Sequence, residues 1–204
     1  MSNNAASLLR GTRRDGIPFI VSAPSGAGKT TLCRRAQAEL GDIRFSVSHT
    51  TRPMRGQEHH GRDYYFVSEQ EFRRMIHAGA FAEWAEYNGN LYGTSLEELE
   101  RARKGGEDLF VEIEVQGAMQ LMPKLPEAVF IFVLPPSLAI LEQRLRGRGT
   151  DSEDAIQRRL TIALREIEYQ DKYHYIVVND NLDRSLALLT GIVRAERART
   201  ERLS

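Results

Sequence analysis

The chain has 204 residues, 41% hydrophobic and 27% charged, which suits one soluble domain with a sizeable core. Its 28 lysines and arginines balance 28 aspartates and glutamates, so no net basic field argues for nucleic acid or an anionic membrane. The single cysteine, Cys33, excludes an internal disulfide and fits a reducing, cytoplasmic setting, and no apolar run reaches the roughly 18 residues of a membrane span.

Residues 1–16, with Arg10, Arg13 and Arg14, lack the apolar stretch of a secretory signal and are expected to form a flexible tail. "IPFIVSAP" (17–24) is a short apolar run before a glycine turn and predicts a buried strand. Leu32, Ala36 and Leu40 keep helical spacing from Thr30, and Gly41 ends that helix. "RFSVS" (44–48) and "YYFV" (64–67) read as short strands around the polar, arginine-bearing stretch "TTRPMRGQEHHGRDYYF" (50–66). Ser68 to Glu71 form a capping box, opening a helix whose Phe72, Met75 and Ile76 face inward and which Gly79 closes. "AFAEWAEYNGNLYGT" (80–94) predicts a hairpin with an Asn88-Gly89 turn and Phe81, Glu83, Ala85 and Tyr87 on one face.

A charged helix runs from Ser95 to Lys104 and stops at Gly105-Gly106. "LFVEIEV" (109–115) and "AVFIFVL" (128–134) read as strands. Helices from Ser137 to Arg146 and from Ser152 to about Tyr173 flank the turn "RGRGTD" (146–151), and a strand at 175–178 and a helix from Asp183 follow. Apolar strands alternating with helices indicate a mostly parallel sheet covered on both faces, with strands near 17–22, 109–115, 128–134 and 175–178. The hairpin-like stretch from about 47 to 94 breaks that rhythm and is expected to be a separate small subdomain.

Chemistry enters at "SAPSGAGKTTL" (22–32), between the first strand and the first helix. Gly26, Gly28, Lys29 and Thr30 match most of G-x-x-x-x-G-K-[ST], with Ala23 where the first glycine usually stands. Such a loop turns backbone N–H groups and a helix dipole onto phosphate oxygens, while Lys29 neutralises β/γ charge and Thr30 offers a hydroxyl to Mg²⁺. ATP with Mg²⁺ is therefore the expected ligand, held by Ala23, Pro24, Ser25, Gly26, Ala27, Gly28, Lys29, Thr30 and Thr31. The alternative, a glycine-rich turn without a ligand, does not account for the strand–loop–helix context. A phosphate donor needs an acceptor, and Arg52 and Arg55 are placed to hold an anionic one.

Four blocks in order, "APSGAGKTTL", "SVSHTTRPMRGQEHHGRDYYF", "EWAEYNGNLYGT" and "RGRGTD…QRRL…VVND", resemble the guanylate kinase family over nearly everything from Ile17 to about Val193. The resemblance implies an α/β fold within residues 17–204: a P-loop kinase core with a parallel sheet flanked by helices, a small mixed α+β GMP-binding insert (about 47–96) and a helical lid (about 137–172). It also implies that Arg52 and Arg55 clamp the GMP phosphate, near Glu58, with the Tyr64 and Tyr92 hydroxyls on the same group. Two guanidinium forks suit a phosphate monoester, which accounts for the polarity of the 50–66 stretch. Glu83 matches the residue that reads guanine. Guanine presents two adjacent donors, N1–H and N2–H₂, to an acceptor-only carboxylate, and adenine would leave that carboxylate unpaired. Ser48 and Thr94, next to Gly93, match contacts to the base, and Glu112 an acid at the rim of the site. Glu114 stands where the family often has Asp and is a candidate to hold the metal's water shell or the base.

Arg144, Arg148 and Arg159 resemble lid arginines that stabilise the transferring phosphoryl group together with Lys29 and Arg52. The bland alternative is exposed helix arginines paired with Asp151, Glu153 and Glu166. Asn179 and Asp180 match the adenine-side loop. No function is assigned to His49, and Trp84 and Cys33 read as packing residues. The implied reaction is ATP + GMP giving ADP + GDP by direct in-line transfer, with dGMP also accepted. A kinase for another purine monophosphate and a catalytically inactive module that binds protein ligands through the same groove both stay open. The expected partners are ATP and GMP, neither nucleic acid nor membrane, and homo-oligomerisation is left open.

Overall fold

The computed structural model describes residues 14–87, 89–147 and 152–203. Residues 1–13 of the expected tail, Asn88 of the hairpin turn, and Arg148 and Asp151 of the lid lie outside the described residues.

Five short strands form a parallel sheet in the order β2-β7-β1-β8-β9. β1 (Pro18–Ser22) is central and pairs with β7 (Asp108–Glu112) and β8 (Val129–Leu134), while β2 (Ile43–Phe45) and β9 (Tyr175–Val178) form the edges. Alternation along β1 sends Phe19 and Val21 to one face and Ile20 to the other. On the first face lie Leu32 and Ala36 of α1 (Lys29–Leu40) and Leu189 and Val193 of α7 (Leu182–Arg197). On the second lie Leu99 and Ala102 of α3 (Leu96–Gly105) and Ala118 and Leu121 of α4 (Val115–Leu121). Phe19, Phe110, Phe130 and Phe132 are fully buried, each contributing about 1.5–3 kcal/mol of hydrophobic stabilisation.

The insert is a second sheet in the order β4-β3-β6-β5. It comprises β3 (His49–Thr50), β4 (Tyr65–Phe66), β5 (Phe81–Tyr87) and β6 (Asn90–Ser95). Helix α2 (Glu69–His77) covers it: Ser68 caps the Glu71 N–H, and Phe72 stacks on Phe81 with ring centres 4.5 Å apart. Leu141 and Leu145 of α5 (Leu138–Arg146) pack on Ile156 and Ala163 of α6 (Glu153–Ile167). No helix among the described residues is long and apolar enough to cross a membrane.

One carboxylate ties Arg14, the first described residue, and Arg197 of the last helix to the sheet. Asp108, 1% exposed, accepts from both Arg14 terminal nitrogens at 2.8 and 2.9 Å, from Arg197 Nε at 2.7 Å and from Ile17 N at 2.8 Å.

The elements differ from the sequence reading in five places. The expected strand 44–48 divides: Ile43–Phe45 joins the core sheet as a fifth strand, and His49–Thr50 belongs to the insert. The chain crosses between sheets over residues 46–48. β7 stops at Glu112 rather than 115, although the Ile113 N–H still reaches the Val21 carbonyl at 3.2 Å. Helix α4 has no counterpart in the sequence reading: it has seven residues, an interior Gly117, and Glu114 as an N-cap without a side-chain capping bond. α6 ends at Ile167, not near Tyr173. A 3₁₀ turn at Gln170–Lys172 follows, and Tyr173 turns in against Phe132, ring centres 4.8 Å apart. Finally, a bulge between Phe81 and Glu83 breaks the hairpin alternation. Phe81 joins Phe72 and Leu91 in the insert core, while Glu83, Ala85 and Tyr87 line a cleft.

Candidate active site

β1 delivers the glycine loop to the carboxyl end of the sheet, the edge at which open α/β sheets bind ligands. Gly26 and Gly28 hold φ of +97° and +92°, which side-chain-bearing residues rarely adopt. The loop is braced from behind. Asn179 Nδ2 donates to the Ala27 carbonyl at 2.8 Å, and Arg144 bridges the Ala27 and Asn179 carbonyls at 3.2 and 2.9 Å. Asn179, just past β9, is buried, and a Cβ on Gly28 would come within 2.5 Å of its Nδ2. Ala23 is buried at the start of the loop.

Lys29 opens α1 and points across the sheet end, its Nζ 3.2 Å from the Ile113 carbonyl. Burial is the largest influence and works to lower its pKa, but Glu114, Glu112, Cys33 and Tyr64 together hold the ammonium above its ordinary value. Thr30 Oγ1 donates to Glu112 Oε2 at 2.8 Å. Glu112 Oε1 is buried and accepts no conventional hydrogen bond among the described residues. The hydroxyl and the carboxylate make a hard oxygen pair that fits Mg²⁺, which takes one or two protein oxygens alongside phosphates and water. No cluster of three or more His, Cys, Asp or Glu side chains that could hold a metal ion exists among the described residues. Glu112 rather than Glu114 faces the Thr30 hydroxyl, while Glu114 acts on Lys29.

Facing the loop is a cavity of about 240 Å³. The sequence-derived residues Ser48, Arg52, Arg55, Tyr64, Glu83, Tyr92, Gly93, Glu112 and Glu114 all line it. Arg52 is 6% exposed. Its guanidinium makes a two-pronged pair with Glu58 at 2.7 and 3.0 Å and donates to the Pro53 carbonyl at 2.7 Å. Its central carbon lies 5.4 Å from the Tyr64 ring centre and 5.6 Å from that of Phe66. The Arg52 bond holds the Glu58 carboxyl below its ordinary pKa. Glu58 thus faces Arg52 and the Arg55 N–H rather than the cavity. The exposed Arg55 side chain makes no hydrogen bond or ion pair among the described residues. Tyr64 and Tyr92 meet edge to face at 6.1 Å, and burial, then Tyr92, raises the Tyr64 phenol pKa.

Glu83 is 4% exposed. Its Oε1 accepts from Thr94 N at 3.0 Å and Thr94 Oγ1 at 2.7 Å, while Oε2 accepts no hydrogen bond among the described residues. Burial raises its pKa, against the two Thr94 bonds and the Lys124 charge. Thr94 therefore supports the carboxylate instead of lining the cavity itself.

On the lid side, Arg159 and Ser25 oppose the rise that burial and Glu114 impose on the Tyr87 phenol. Asp180 is exposed and accepts from Asn181 N. Thr31 is exposed in the first turn of α1. Arg146, not a candidate, pairs with Glu142 and Glu153 on the surface. His49 stacks on Tyr65 at 4.7 Å, a packing role.

Sequence reasoning missed Ile113 and Gly117 in the lining, because neither carries a polar signal and α4 was not foreseen. Tyr87 and Ala85 also line the cavity, on the face that the hairpin alternation predicts.

A glycine loop at the carboxyl end of a parallel sheet, facing a charged cleft under an inserted sheet, defines the class of phosphate-loop nucleotide kinases. The guanylate kinase family model matches residues 15–196. A guanylate kinase of Geobacter metallireducens is 50% identical over 191 residues, 94% of each chain. One of Neisseria gonorrhoeae is 50% identical over 189 residues, 93% of this chain and 92% of the relative. The crystal structure of guanylate kinase from Anaplasma phagocytophilum superposes with a TM-score of 0.77 at 33% identity, covering 94% of this chain and 91% of that one. The chain belongs to the guanylate kinase family.

Proposed function

We propose that the chain transfers the γ-phosphoryl group of ATP to GMP, giving ADP and GDP, by direct in-line displacement between two facing sites. ATP:GMP phosphotransfer is the activity of its family. The observation that carries the choice of acceptor is Glu83, a buried carboxylate in the lining of the cleft with one oxygen held by Thr94 and the other accepting no hydrogen bond among the described residues. Guanine is the purine that offers two adjacent donors to such an acceptor.

Each residue then has a task. The loop from Ala23 to Thr31 wraps the ATP phosphates with backbone N–H groups. Lys29, kept protonated by Glu114 and Glu112, neutralises charge on the β- and γ-phosphates. Arg52 and Arg55 take the GMP phosphate, with Tyr64 and Tyr92 completing its shell, and Ser48 supports the base. Arg144, braced against the loop, and Arg159 supply positive charge on the lid side, together with Arg148. Asn179 and Asp180 border the adenine. Mg²⁺, held through Thr30 and Glu112, would neutralise phosphate charge as the γ-phosphoryl moves. The insert at about 47–96 carries the acceptor, and the lid at about 137–172 closes over both nucleotides and excludes water. dGMP carries the same base and phosphate and is expected to serve as well. A cytoplasmic setting fits the buried free thiol of Cys33.

The test is ADP release from ATP with GMP, dGMP, IMP, AMP, CMP or UMP as acceptor. GMP is expected to lead, IMP to trail for want of the 2-amino group, and AMP to be rejected more strongly than IMP. Equal specificity constants for GMP and AMP would overturn the base assignment. No turnover with any acceptor would revive the inactive-module reading.

A further inference from the structure

Helix α4 and the turn after it bond two residues of β5, the edge strand of the insert, and face the residue between them. Lys124, just past the helix, donates to the Ala82 carbonyl at 2.6 Å. The Gln120 side-chain amide accepts from the Trp84 N–H at 3.3 Å and donates to the Trp84 carbonyl at 2.8 Å, as a neighbouring strand would. Between them lies Glu83, and opposite its carboxylate stands Gly117. A Cβ on Gly117 would sit 2.5 Å from Glu83 Oε2 and 3.1 Å from Cδ. This glycine is not among those with positive φ, so its backbone does not require it. Glycine is the weaker helix former at such a position. What it provides is room for a carboxylate oxygen.

We propose that α4 is a positioning element for base recognition, in which Gly117 leaves the space that Glu83 Oε2 occupies and Gln120 fixes the strand that carries it. The inference rests on the reading of Glu83 as the acceptor for guanine. The methyl group of Gly117→Ala meets the far end of a side chain, not backbone, so the carboxylate yields and the helix persists. Displacing a reading group by about an ångström can cost on the order of 100-fold.

The experiment compares specificity constants for GMP and IMP, KM for ATP and thermal midpoints in the wild type, Gly117→Ala, Gln120→Met, Glu83→Gln, Glu83→Asp and the double variant Gly117→Ala/Glu83→Asp. Gly117→Ala is expected to melt no lower than wild type and to leave KM for ATP unchanged. It should raise KM for GMP roughly ten- to hundredfold and narrow the GMP-to-IMP ratio. Glu83→Asp alone should impair GMP use, yet in the Gly117→Ala background the shorter side chain should restore part of the ratio. Gln120→Met tests the same idea without a new clash and should raise KM for GMP while sparing KM for ATP. An unchanged GMP-to-IMP ratio in Gly117→Ala beside a narrowed one in Glu83→Gln overturns the positioning role and leaves the base reading standing. An unchanged ratio in Glu83→Gln itself overturns the base reading, and the positioning role with it. If Gly117→Ala fails to fold, equal rises in the GMP and ATP constants of Gln120→Met overturn the proposal.

Discussion

The two nucleotide sites are built from different materials. On the donor side the phosphate loop is backbone: Gly26 and Gly28 in left-handed conformations, with Asn179 and Arg144 bracing the Ala27 carbonyl from behind. On the acceptor side recognition falls to side chains, and the two most buried charged ones come with partners: Arg52 with Glu58, Glu83 with Thr94. A triphosphate looks alike in every nucleotide, and converging N–H groups suffice to hold it. Choosing one base needs a charge of defined sign and position. A buried charge without a partner is costly, so each must be paired before substrate arrives. The donor half is therefore a matter of chain geometry and the acceptor half a matter of charge.

The sharpest way to break this contrast is Lys29→Ala, a donor-side change that removes a charge and spares the backbone. Turnover should fall by about 100-fold or more, the scale of losing one charge-stabilising group, with the melting profile intact. Coupled measurement of ADP release checks it, and unaltered turnover would remove the ammonium from the chemistry. Next come the arginines. Arg52→Lys keeps the charge but loses the fork shared with Glu58, and should weaken GMP binding by about 1.5–3 kcal/mol. Arg55→Lys, at an exposed and unpartnered side chain, should cost about 1 kcal/mol or less. Calorimetry with GMP against guanosine, which lacks the phosphate, separates the two, and equal losses would mean that burial and pre-pairing do not matter.

A further test reads the pH dependence of stability at Glu166, which feels Glu114 and Lys29. Burial first, and Glu114 second, push the Glu166 carboxyl up to about 7 from an ordinary 4.5, with Lys29 opposing. Because the folded chain binds this proton more tightly than the unfolded one, Glu166 favours folding at low pH. That contribution is complete below about 4.5 and is lost as pH rises toward 7. Glu166→Gln should remove the loss. Between pH 5 and 8 the variant's stability should fall less than the wild type's, by about 1–2 kcal/mol after allowance for solvent. Parallel urea titrations at the two pH values would show it, and identical pH slopes would contradict it.

Much of this molecule is legible in its sequence, and the reasons are local. Caps and periodicity announce α1, α2, α3 and α5 because Gly41, Ser68, Ser95 and Ser137 act within one turn of the helix they bound. The glycine loop is legible because its function is its spacing. What stayed hidden depends on pairing across distance. Ile43–Phe45 becomes a core strand only because β7 offers it an edge, and the Phe81–Glu83 bulge exists only in register with β6. The mutual support of Arg52 and Glu58, or of Glu83 and Thr94, likewise cannot be counted off from residue types. Helix α4 was invisible for both reasons: it is short and poorly capped, and its Gly117 makes sense only opposite a carboxylate from another sheet.

The Asp108 cluster has a mechanical consequence. β7 runs from Asp108, which both Arg14 and Arg197 grip, to Glu112 beside the Thr30 hydroxyl. At about 3.3 Å per residue the strand sets the two carboxylates roughly 13 Å apart. The described ends of the chain are thus moored at one pole of the sheet and the chemistry sits at the other. A load entering ahead of Arg14 reaches Asp108 directly, whereas one entering after Leu203 first meets Arg202, which bonds Glu196 and the Glu127 carbonyl, and only then Arg197. The cleft lies at the unloaded end of the same strand.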